Sequence, residues 1–477
     1  MDFYQLSLGG LIAANTCLLW MRHRGQPGSR GRPSNSSPSS TESARRFQLT
    51  FFIPYTIAVA ADWLQGPHIY ALYKYEKALP EKIVAALYAT GFAAGGISAS
   101  FAGSLADRFG RKRACLLYCG LYLLTCVSML SEDLTVLFAG RVVGGVSTTL
   151  LFSVFEAWMI SDYNHRGLGV PVADSGSLAA DTDNDKPAAV ADGVEQSSCD
   201  EAASVPMSLD SVFSTMTTLS CVVAIISGVI GDALVAISGT RTWPFIAAMV
   251  CSVAAAGIIS STWRENYGSQ SDGNTSAGQP SNGNHRFDFL RDPKMLTLGL
   301  TTCIFEGTMY LFIFFWSAAL KDARDSGLRP AASGELPFGL IFSSFMCTML
   351  AGSAIYGRLR GDSFSSSSIL LSILLIVGAC LGMVVNVQDE RVLFLVFCVI
   401  EGCIGAYFPA MASLKSQLVD DGIRGRVYSA LRAPLNVFVV VAHCLDEEGS
   451  QHRNNIFLAC AGLLLVAYCV AQRHFPH

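Results

Sequence analysis

The chain has 477 residues, of which 51% are hydrophobic and only 15% are charged, and its mean hydropathy is +0.41. Soluble globular domains carry about 25% charged residues, so this composition argues against a soluble enzyme. A net charge of −4 also excludes a broadly basic nucleic-acid-binding protein, and we expect no nucleic acid among its partners.

Thirteen apolar runs are long enough to cross a bilayer as helices, since one span needs about 20 apolar residues. The first run covers residues 3–21. The other twelve cover residues 47–73, 83–105, 114–130, 134–161, 209–237, 242–262, 295–320, 337–356, 367–387, 392–414, 425–444 and 455–472. They predict an all-α polytopic membrane protein with twelve core transmembrane helices and one extra N-terminal transmembrane helix.

The first run resembles a signal peptide in length, but its flanking charges do not fit one. Asp2 precedes it, whereas Arg22 and Arg24 follow it. A signal peptide carries its positive charge before the apolar run. We therefore expect residues 1–21 to be a retained transmembrane anchor, followed by a basic, disordered cytosolic linker over residues 22–46.

Two long polar segments lie between the predicted helices. Residues 162–207 hold nine acidic residues, and we expect them to form a disordered loop. Residues 263–294 are rich in Gly, Ser and Asn, and they separate an N-terminal six-helix half, residues 47–262, from a C-terminal half, residues 295–477. We expect the protein to be a monomer.

Lysine and arginine are distributed unequally between the two sides of the predicted membrane. If the first core helix enters from the cytosol, cytosolic segments hold 22 of them, outer loops hold nine, and two lie within spans. Positive loops stay in the cytosol, so this count favours that orientation. We expect a multi-pass protein of the plasma membrane.

The sequence contains no pattern that predicts enzymatic chemistry. Fourteen of the fifteen cysteines lie in apolar runs, where cysteine behaves as a small hydrophobic residue, and there is no CxxC pair or Cys/His cluster. Nucleophile–base motifs and Walker sequences are also missing. We therefore expect no catalytic residues, no metal site and no cofactor.

The turn between the second and third core helices, Gly103–Ala114, reads GSLADRFGRKRA. Gly110 permits a tight backbone turn. We expect Asp107 to cap the following helix and to face the positive N-terminal end of a neighbouring helix. Basic residues should keep the turn in the cytosol.

This turn resembles the signature of the major facilitator superfamily, G-x-L-a-D-r-x-G-r-k. The resemblance implies a fold of two six-helix halves around a midplane site, with helices 1, 4, 7 and 10 lining the cavity. It also implies that the turn acts as a conformational lock, through Gly103, Asp107, Arg108, Gly110, Arg111 and Lys112.

Six further segments resemble the molybdate-anion transporter branch of that superfamily. They are Ala61–Tyr70, Gly140–Trp158, Trp263–Tyr267, Pro337–Met346, Glu401–Met411 and Arg432–Asn436. The resemblance implies secondary active uptake of molybdate, or of a similar small tetrahedral oxyanion, by alternating access. Other solutes, including sulfate and phosphate, remain open, as does a transporter-like sensor or scaffold that binds partners through its cytosolic loops.

Charged residues inside a bilayer are costly and therefore mark candidate functional sites. A tetrahedral dianion needs fork-shaped cationic donors, which arginine supplies, and neutral hydroxyl or amide donors. The predicted binding residues are Arg141, Thr148, Arg432 and Asn436.

Acidic residues inside the spans cannot bind an anion while they are ionised. We expect them to be counter-charges for the arginines or proton carriers, and they are Asp62, Glu156, Glu306 and Glu401. The alternative for Arg141 is a purely structural ion pair with a buried acid that holds two helices together.

Overall fold

The computed structural model describes residues 3–24, 38–168, 207, 209–268, 292–326, 335–361, 364–419, 424–444 and 449–475. The description excludes the side chains of residues 22–41, 210, 361 and 424–433. All regular structure in this part of the chain is helical. Ten of its helices are long and apolar enough to cross a membrane, judged by length and composition.

The N-terminal part begins with α1, Phe3–Arg24, and α2, Pro38–Gln65. The chain then continues through a 3₁₀ turn at Gly66–His68, α3 at Ile69–Ala71 and a π turn at Leu72–Glu76. The remaining helices of this half are α4 (Glu81–Ala99), α5 (Ala102–Phe109), α6 (Arg111–Ser128), α7 (Leu134–His165), α8 (Leu209–Ser238) and α9 (Trp243–Thr262).

The C-terminal half consists of six long helices. They are α10 (Pro293–Ser326), α11 (Phe338–Gly361), α12 (Ser366–Val384), α13 (Glu390–Leu418), α14 (Arg424–Cys444) and α15 (Ser450–His474). The twelve predicted core helices are thus confirmed as α2, α4 and α6–α15, and α5 is a short helix in the turn after α4.

Several predicted boundaries differ from the observed helix ends by more than three residues. The second core helix ends at Ala99 instead of residue 105, because the chain turns there before α5 begins at Ala102. The predicted linker is helical at both ends, over residues 22–24 and 38–46. A fall in hydropathy predicts where a membrane span ends, but it does not predict where the helix ends. A helix can continue beyond the bilayer, as α2 does.

α7 and α13, the fourth core helix of each half, begin in the same way. Asp133 precedes α7 and accepts hydrogen bonds from the backbone N–H groups of Thr135 and Val136, at 2.7 and 3.4 Å. These bonds stabilise the ionised form and hold the pKa of the Asp133 carboxyl below its usual value. Asp389 accepts two equivalent bonds from the first turn of α13, at 2.8 and 3.2 Å. An aspartate therefore satisfies the free N–H groups at the start of both helices.

Glycines bring neighbouring helices into backbone contact within each half. A Cβ atom on Gly145 of α7 would overlap the carbonyl oxygen of Gly91 and lie 2.8 Å from the amide nitrogen of Gly95, both on α4. In the other half, a Cβ on Gly352 of α11 would overlap the backbone of Gly402 on α13. Small residues serve this purpose in membranes because lipid provides no hydrophobic force between helices.

The two halves meet along α8 and α11, at the end of the bundle that the positive charges assign to the outside. The carboxylate of Asp232 on α8 accepts hydrogen bonds from the N–H groups of Gly339 and Leu340, at 2.8 and 2.9 Å. These N–H groups belong to the first turn of α11, so a charge of one half caps a helix of the other. Gly228 lies directly against Gly339, which permits this approach.

A cavity of about 520 Å³ lies toward the opposite end, between α2 and α8. Its lining residues are Gln48, Leu49, Phe52, Ile53, Thr56, Ile57, Thr215 and Leu219. The bundle thus combines tight contact between the halves near one end with open space beside α2 and α8 near the other.

The N-terminal helix α1 packs against the C-terminal half. The amide of buried Asn15 donates a hydrogen bond to the carbonyl oxygen of Cys347 on α11, at 2.9 Å. Near its start, the hydroxyl of Tyr4 donates to the carboxylate of Glu390, which also pairs with Arg324 at 2.9 Å. These contacts give α1 polar partners at two levels along its length.

The glycine crossing of α4 and α7 predicts a sharp difference between two substitutions. We expect Gly145→Ala to destabilise the protein by roughly 1–3 kcal/mol, because the added methyl group meets backbone that cannot move aside. Thermal unfolding of the purified protein in detergent measures this.

Gly120→Ala on α6 is the matched control, since a Cβ there meets nothing within 4 Å. Replacing an unhindered helical glycine with alanine should leave stability unchanged or raise it by up to about 1 kcal/mol. Equal unfolding temperatures for the two variants would contradict the close crossing.

Candidate functional site

Arg141 lies on α7 and reaches across to α4. Its Nε donates a hydrogen bond to the carbonyl oxygen of Leu87 at 3.3 Å, and its guanidinium carbon lies 5.3 Å from the ring centre of Tyr88. Gly91 makes room for the guanidinium, because a Cβ there would be 2.9 Å from Nη2. Within the described part of the chain, Arg141 forms no ion pair with an acidic residue. A direct structural ion pair is therefore not the arrangement that the structure contains.

Asp62 lies on α2 and faces α6. Its Oδ1 accepts a hydrogen bond from the hydroxyl of Tyr122 at 3.2 Å, and the same hydroxyl contacts the amide of Gln65. Asp62 is therefore bonded to α6 and not to Arg141, and its role as a counter-charge stays a prediction.

The polar face predicted for α7 is only partly accessible, because Gly145 is buried against α4. Arg141 is partly exposed, and Thr148, Phe152 and Glu156 are exposed at the spacing of one helix face. The hydroxyl of Thr148 donates to the carbonyl oxygen of Gly144 at 3.0 Å, so its oxygen is available mainly as an acceptor. Thr148 therefore offers an anion less than the sequence suggested.

α14 approaches α4 from the other half. A Cβ on Gly96 would lie 2.9 Å from the Nδ2 atom of Asn436, which places this predicted binding residue against the inner part of α4. Arg432 belongs to α14 by its backbone, and its side chain is outside the described residues. Asn436 and Arg141 thus contact the same helix, from opposite halves of the protein.

The acids of the C-terminal half lie apart from Arg141. Glu306 on α10 accepts a hydrogen bond from the hydroxyl of Tyr407 at 3.3 Å. Glu401 is only 5% exposed and lies beside Cys398 on the side of α13 that neighbours α11. Neither acid pairs with Arg141 in the described part of the chain, and their role as counter-charges or proton carriers stays a prediction.

The signature turn is built differently from its prediction. Gly110 has a φ of +110°, a conformation that glycine adopts without a steric penalty. Asp107 was expected to cap α6, but its carboxylate pairs with Arg111 at 2.8 Å. Asp107 lies near the end of α5 and Arg111 begins α6, and the turn at Gly110 between the two helices brings their side chains together. Gly103 also lies in α5, and Arg108 stacks near the ring of Phe109 at 5.6 Å.

Glu265 takes the place that was predicted for Asp107. Its carboxylate accepts a hydrogen bond from the N–H of Lys112, in the first turn of α6, at 2.8 Å. The Lys112 ammonium in turn donates to the carbonyl oxygens of Ser260 and Trp263, both at 2.8 Å. The end of α9 and the start of α6 therefore cap each other, with a negative charge at the helix start and a positive charge at the helix end.

The segment that follows α9, residues 263–268, is held against the N-terminal half. Trp263 stacks on Trp158 with ring centres 3.7 Å apart, and its Nε1 donates to the carbonyl oxygen of Thr50 at 2.8 Å. The N–H of Gly268 donates to the carbonyl oxygen of Asp107 at 3.1 Å. The first six residues of the predicted central loop are thus part of the folded half.

Several residues of this region could not be singled out from the sequence. Tyr88, Gly91 and Tyr122 are uncharged residues in apolar helices, and no pattern distinguishes them from core positions. Glu265 carried a weak signal, since it follows a span directly and lies in a segment that resembles the family. Their roles arise from helix neighbours that are distant in the chain.

The cap at α6 predicts that Glu265→Ala lowers the free energy of unfolding by about 1 kcal/mol, as the loss of a helix cap does. Glu265→Gln should lose less, because an amide oxygen still accepts the Lys112 N–H bond. The measurement is thermal unfolding of the purified protein in detergent.

Arg113→Ala is the control for lost charge near the turn. Arg113 is 73% exposed and lies 3.8 Å from Glu265, and exposed pairs of this kind contribute little. If Arg113→Ala were as destabilising as Glu265→Ala, the contact would be an ordinary surface ion pair instead of a cap.

Comparison with known proteins gives consistent results. A family model described as sugar transporters with twelve transmembrane spans matches residues 3–178 and 201–430. A molybdate-anion transporter of Xenopus tropicalis is 30% identical over 455 residues, which cover 92% of this chain and 89% of that protein. One of Danio rerio is 28% identical over 460 residues, covering 89% and 86%.

The fold also matches a solved transporter structure. A crystal structure of the D323A mutant of the nucleoside transporter NupG aligns with 90% of this chain and 100% of that chain, with a TM-score of 0.66 and 12% identity. At this identity the likeness concerns the fold alone.

The family match covers well over half of the chain, and the resemblance seen in the sequence motifs is confirmed. The chain therefore belongs to the major facilitator superfamily, in the branch whose relatives are named molybdate-anion transporters.

Proposed function

We propose that this protein transports molybdate, or a closely similar tetrahedral oxyanion, into the cell as a secondary transporter in the plasma membrane. The observation that carries the proposal is the state of Arg141. It is a cation on a helix inside the membrane bundle, and no acidic residue in the described part of the chain pairs with it. Such a charge is costly to maintain in a membrane unless it serves a ligand.

The geometry of Arg141 suits an anion. Its Nε is occupied by the Leu87 carbonyl oxygen, and the terminal nitrogens donate no hydrogen bond to the described part of the chain. Two terminal N–H groups in one plane can donate side by side to two oxygens of one oxyanion. Asp62 is near enough to interact electrostatically with Arg141 but does not contact its guanidinium. It therefore moderates the positive charge of Arg141 without occupying the terminal N–H donors.

The choice among oxyanions rests on the relatives, which are named for molybdate. Sulfate and phosphate have the same tetrahedral shape, so the arginine by itself does not separate them. The family description names sugars, but a neutral sugar does not require a cationic donor such as Arg141 in its binding site. A sensor or scaffold that binds partners through its cytosolic loops would not need a charged residue such as Arg141 inside the bundle. We therefore favour a transporter over it.

Alternating access is the mechanism that we propose for this transport. The halves are joined through Asp232 and the start of α11, and they must separate there if the site is to open to the outside. The cavity of about 520 Å³ lies toward the other end. We assign this arrangement to a state that is closed outside and accessible from the cytosol.

Substitution of Arg141 tests the proposed function. We expect Arg141→Lys to raise the KM for molybdate about 10- to 100-fold, because the loss of one charge-assisted hydrogen bond costs about 1.5–3 kcal/mol. Arg141→Ala should abolish uptake. The measurement is molybdenum uptake by cells at equal surface expression, with sulfate, phosphate and a neutral sugar as competitors.

Arg166→Lys is the matched control, at the residue that directly follows α7. Arg166 already pairs with Asp162 at 2.7 Å, so this substitution should leave uptake unchanged. Normal uptake by Arg141→Ala would refute the anion site, and competition by the sugar alone would point to a different substrate class.

Asp232→Asn tests the proposed outer closure. An amide has one acceptor oxygen and no charge, so it cannot accept both α11 N–H groups as the carboxylate does. We expect the equilibrium to shift toward the outward-open state. A membrane-impermeant maleimide should label a cysteine introduced at buried Ser343 several-fold faster in this background.

Asp133→Asn is the control, because Asp133 also accepts two N–H groups at a helix start but within its own half. It should not change the labelling rate. Unchanged labelling in Asp232→Asn would show that this contact does not hold the halves together.

A further inference from the structure

The side chain of Arg141 is held on three sides by α4. Leu87 accepts the Nε hydrogen bond at 3.3 Å, Tyr88 lies under the guanidinium at 5.3 Å, and Gly91 leaves the space that Nη2 occupies. Long arginine side chains lose considerable conformational entropy when they are immobilised. An arginine that is already held in place binds a ligand without that cost.

Tyr88 is itself held by rings of the other half. Its ring is parallel to that of His443, with planes at 8° and centres 6.3 Å apart, and it meets Phe314 edge to face at 5.1 Å. His443 is 3% exposed and bonds through Nδ1 to the carbonyl oxygen of Val439 at 2.8 Å. The ring under Arg141 is thus part of a packed aromatic contact and has little freedom to turn.

We infer that Tyr88 is a positioning residue for the anion site, which rests on the proposed function of Arg141. The ring attracts the guanidinium through its π face and sets the plane in which the terminal N–H groups point. Tyr88 does not touch the anion in this arrangement. Because Tyr88 acts by orienting Arg141, substituting it should change the KM for the substrate and not kcat.

Tyr88→Leu removes the π face and keeps an apolar side chain of moderate size. We expect it to raise the KM for molybdate uptake about three- to tenfold, with kcat per surface transporter changed less than about twofold. Tyr88→Phe keeps the ring, and no hydrogen bond of the Tyr88 hydroxyl is found in the described part of the chain. It should therefore have a normal KM.

Phe92→Leu is the matched control for lost aromatic packing. Phe92 also contacts His443, at 5.6 Å, and Tyr310, at 5.0 Å, but it does not lie under Arg141. Its KM should stay within about twofold of normal. A general packing role for these rings would raise the KM in Phe92→Leu and Tyr88→Leu alike.

A double substitution separates this inference from the proposed function. If Tyr88 acts through Arg141, Tyr88→Leu should have little further effect in the Arg141→Lys background. An unchanged KM in Tyr88→Leu, with Arg141 still required, would overturn the positioning role alone. Normal uptake by Arg141→Ala would instead overturn the anion site itself.

Gly91→Ala provides a second route if Tyr88→Leu does not reach the surface. The added Cβ would meet only the flexible end of Arg141, so the fold should tolerate it while the guanidinium is displaced. We expect a raised KM for molybdate with surface expression retained. A normal KM in this variant would contradict the inference that α4 sets the position of Arg141.

Discussion

The close approach of α4 and α7 is the constraint on which the proposed site depends. Lipid offers no hydrophobic gain for helix association, so membrane helices gain stability from tight packing of small residues. Gly91 and Gly95 meet Gly145 in backbone contact, and this distance lets the side chain of Arg141 lie along α4. A side chain at Gly145 would separate the helices and move the arginine away from its carbonyl and ring partners.

The cost of charge in a membrane explains how the ionisable residues are arranged. Asp62 and Glu306 each accept a hydrogen bond from a tyrosine of their own half, Tyr122 and Tyr407. Each carboxylate is therefore partly satisfied within one rigid half, whatever the other half does. Arg141 differs, because only its Nε is bonded within the described residues. Its remaining donors are the reason that we propose it as the ligand site.

Contacts within each half are of a different kind from contacts between the halves. The signature turn, α6 and the end of α9 cap one another inside the N-terminal half, at the end that is predicted to be cytosolic. Between the halves, the Asp232 carboxylate caps α11, Arg241 pairs with Glu335, and aromatic rings pack around His443. Two halves joined by a few polar contacts toward one end suit motion of one half against the other.

Hydropathy and short motifs are local properties of the chain, so they were enough to predict the class of protein, the twelve core helices and the family. They also made Arg141 and Asp62 candidates, since a charge in an apolar run is visible without a fold. Which side chains meet could be read only from the packing of the helices. It placed Tyr88 under Arg141, put Glu265 where Asp107 was expected, and separated Glu401 from the arginine. The physical reason is that such contacts depend on how far helices rotate and approach, and glycines in other helices determine both.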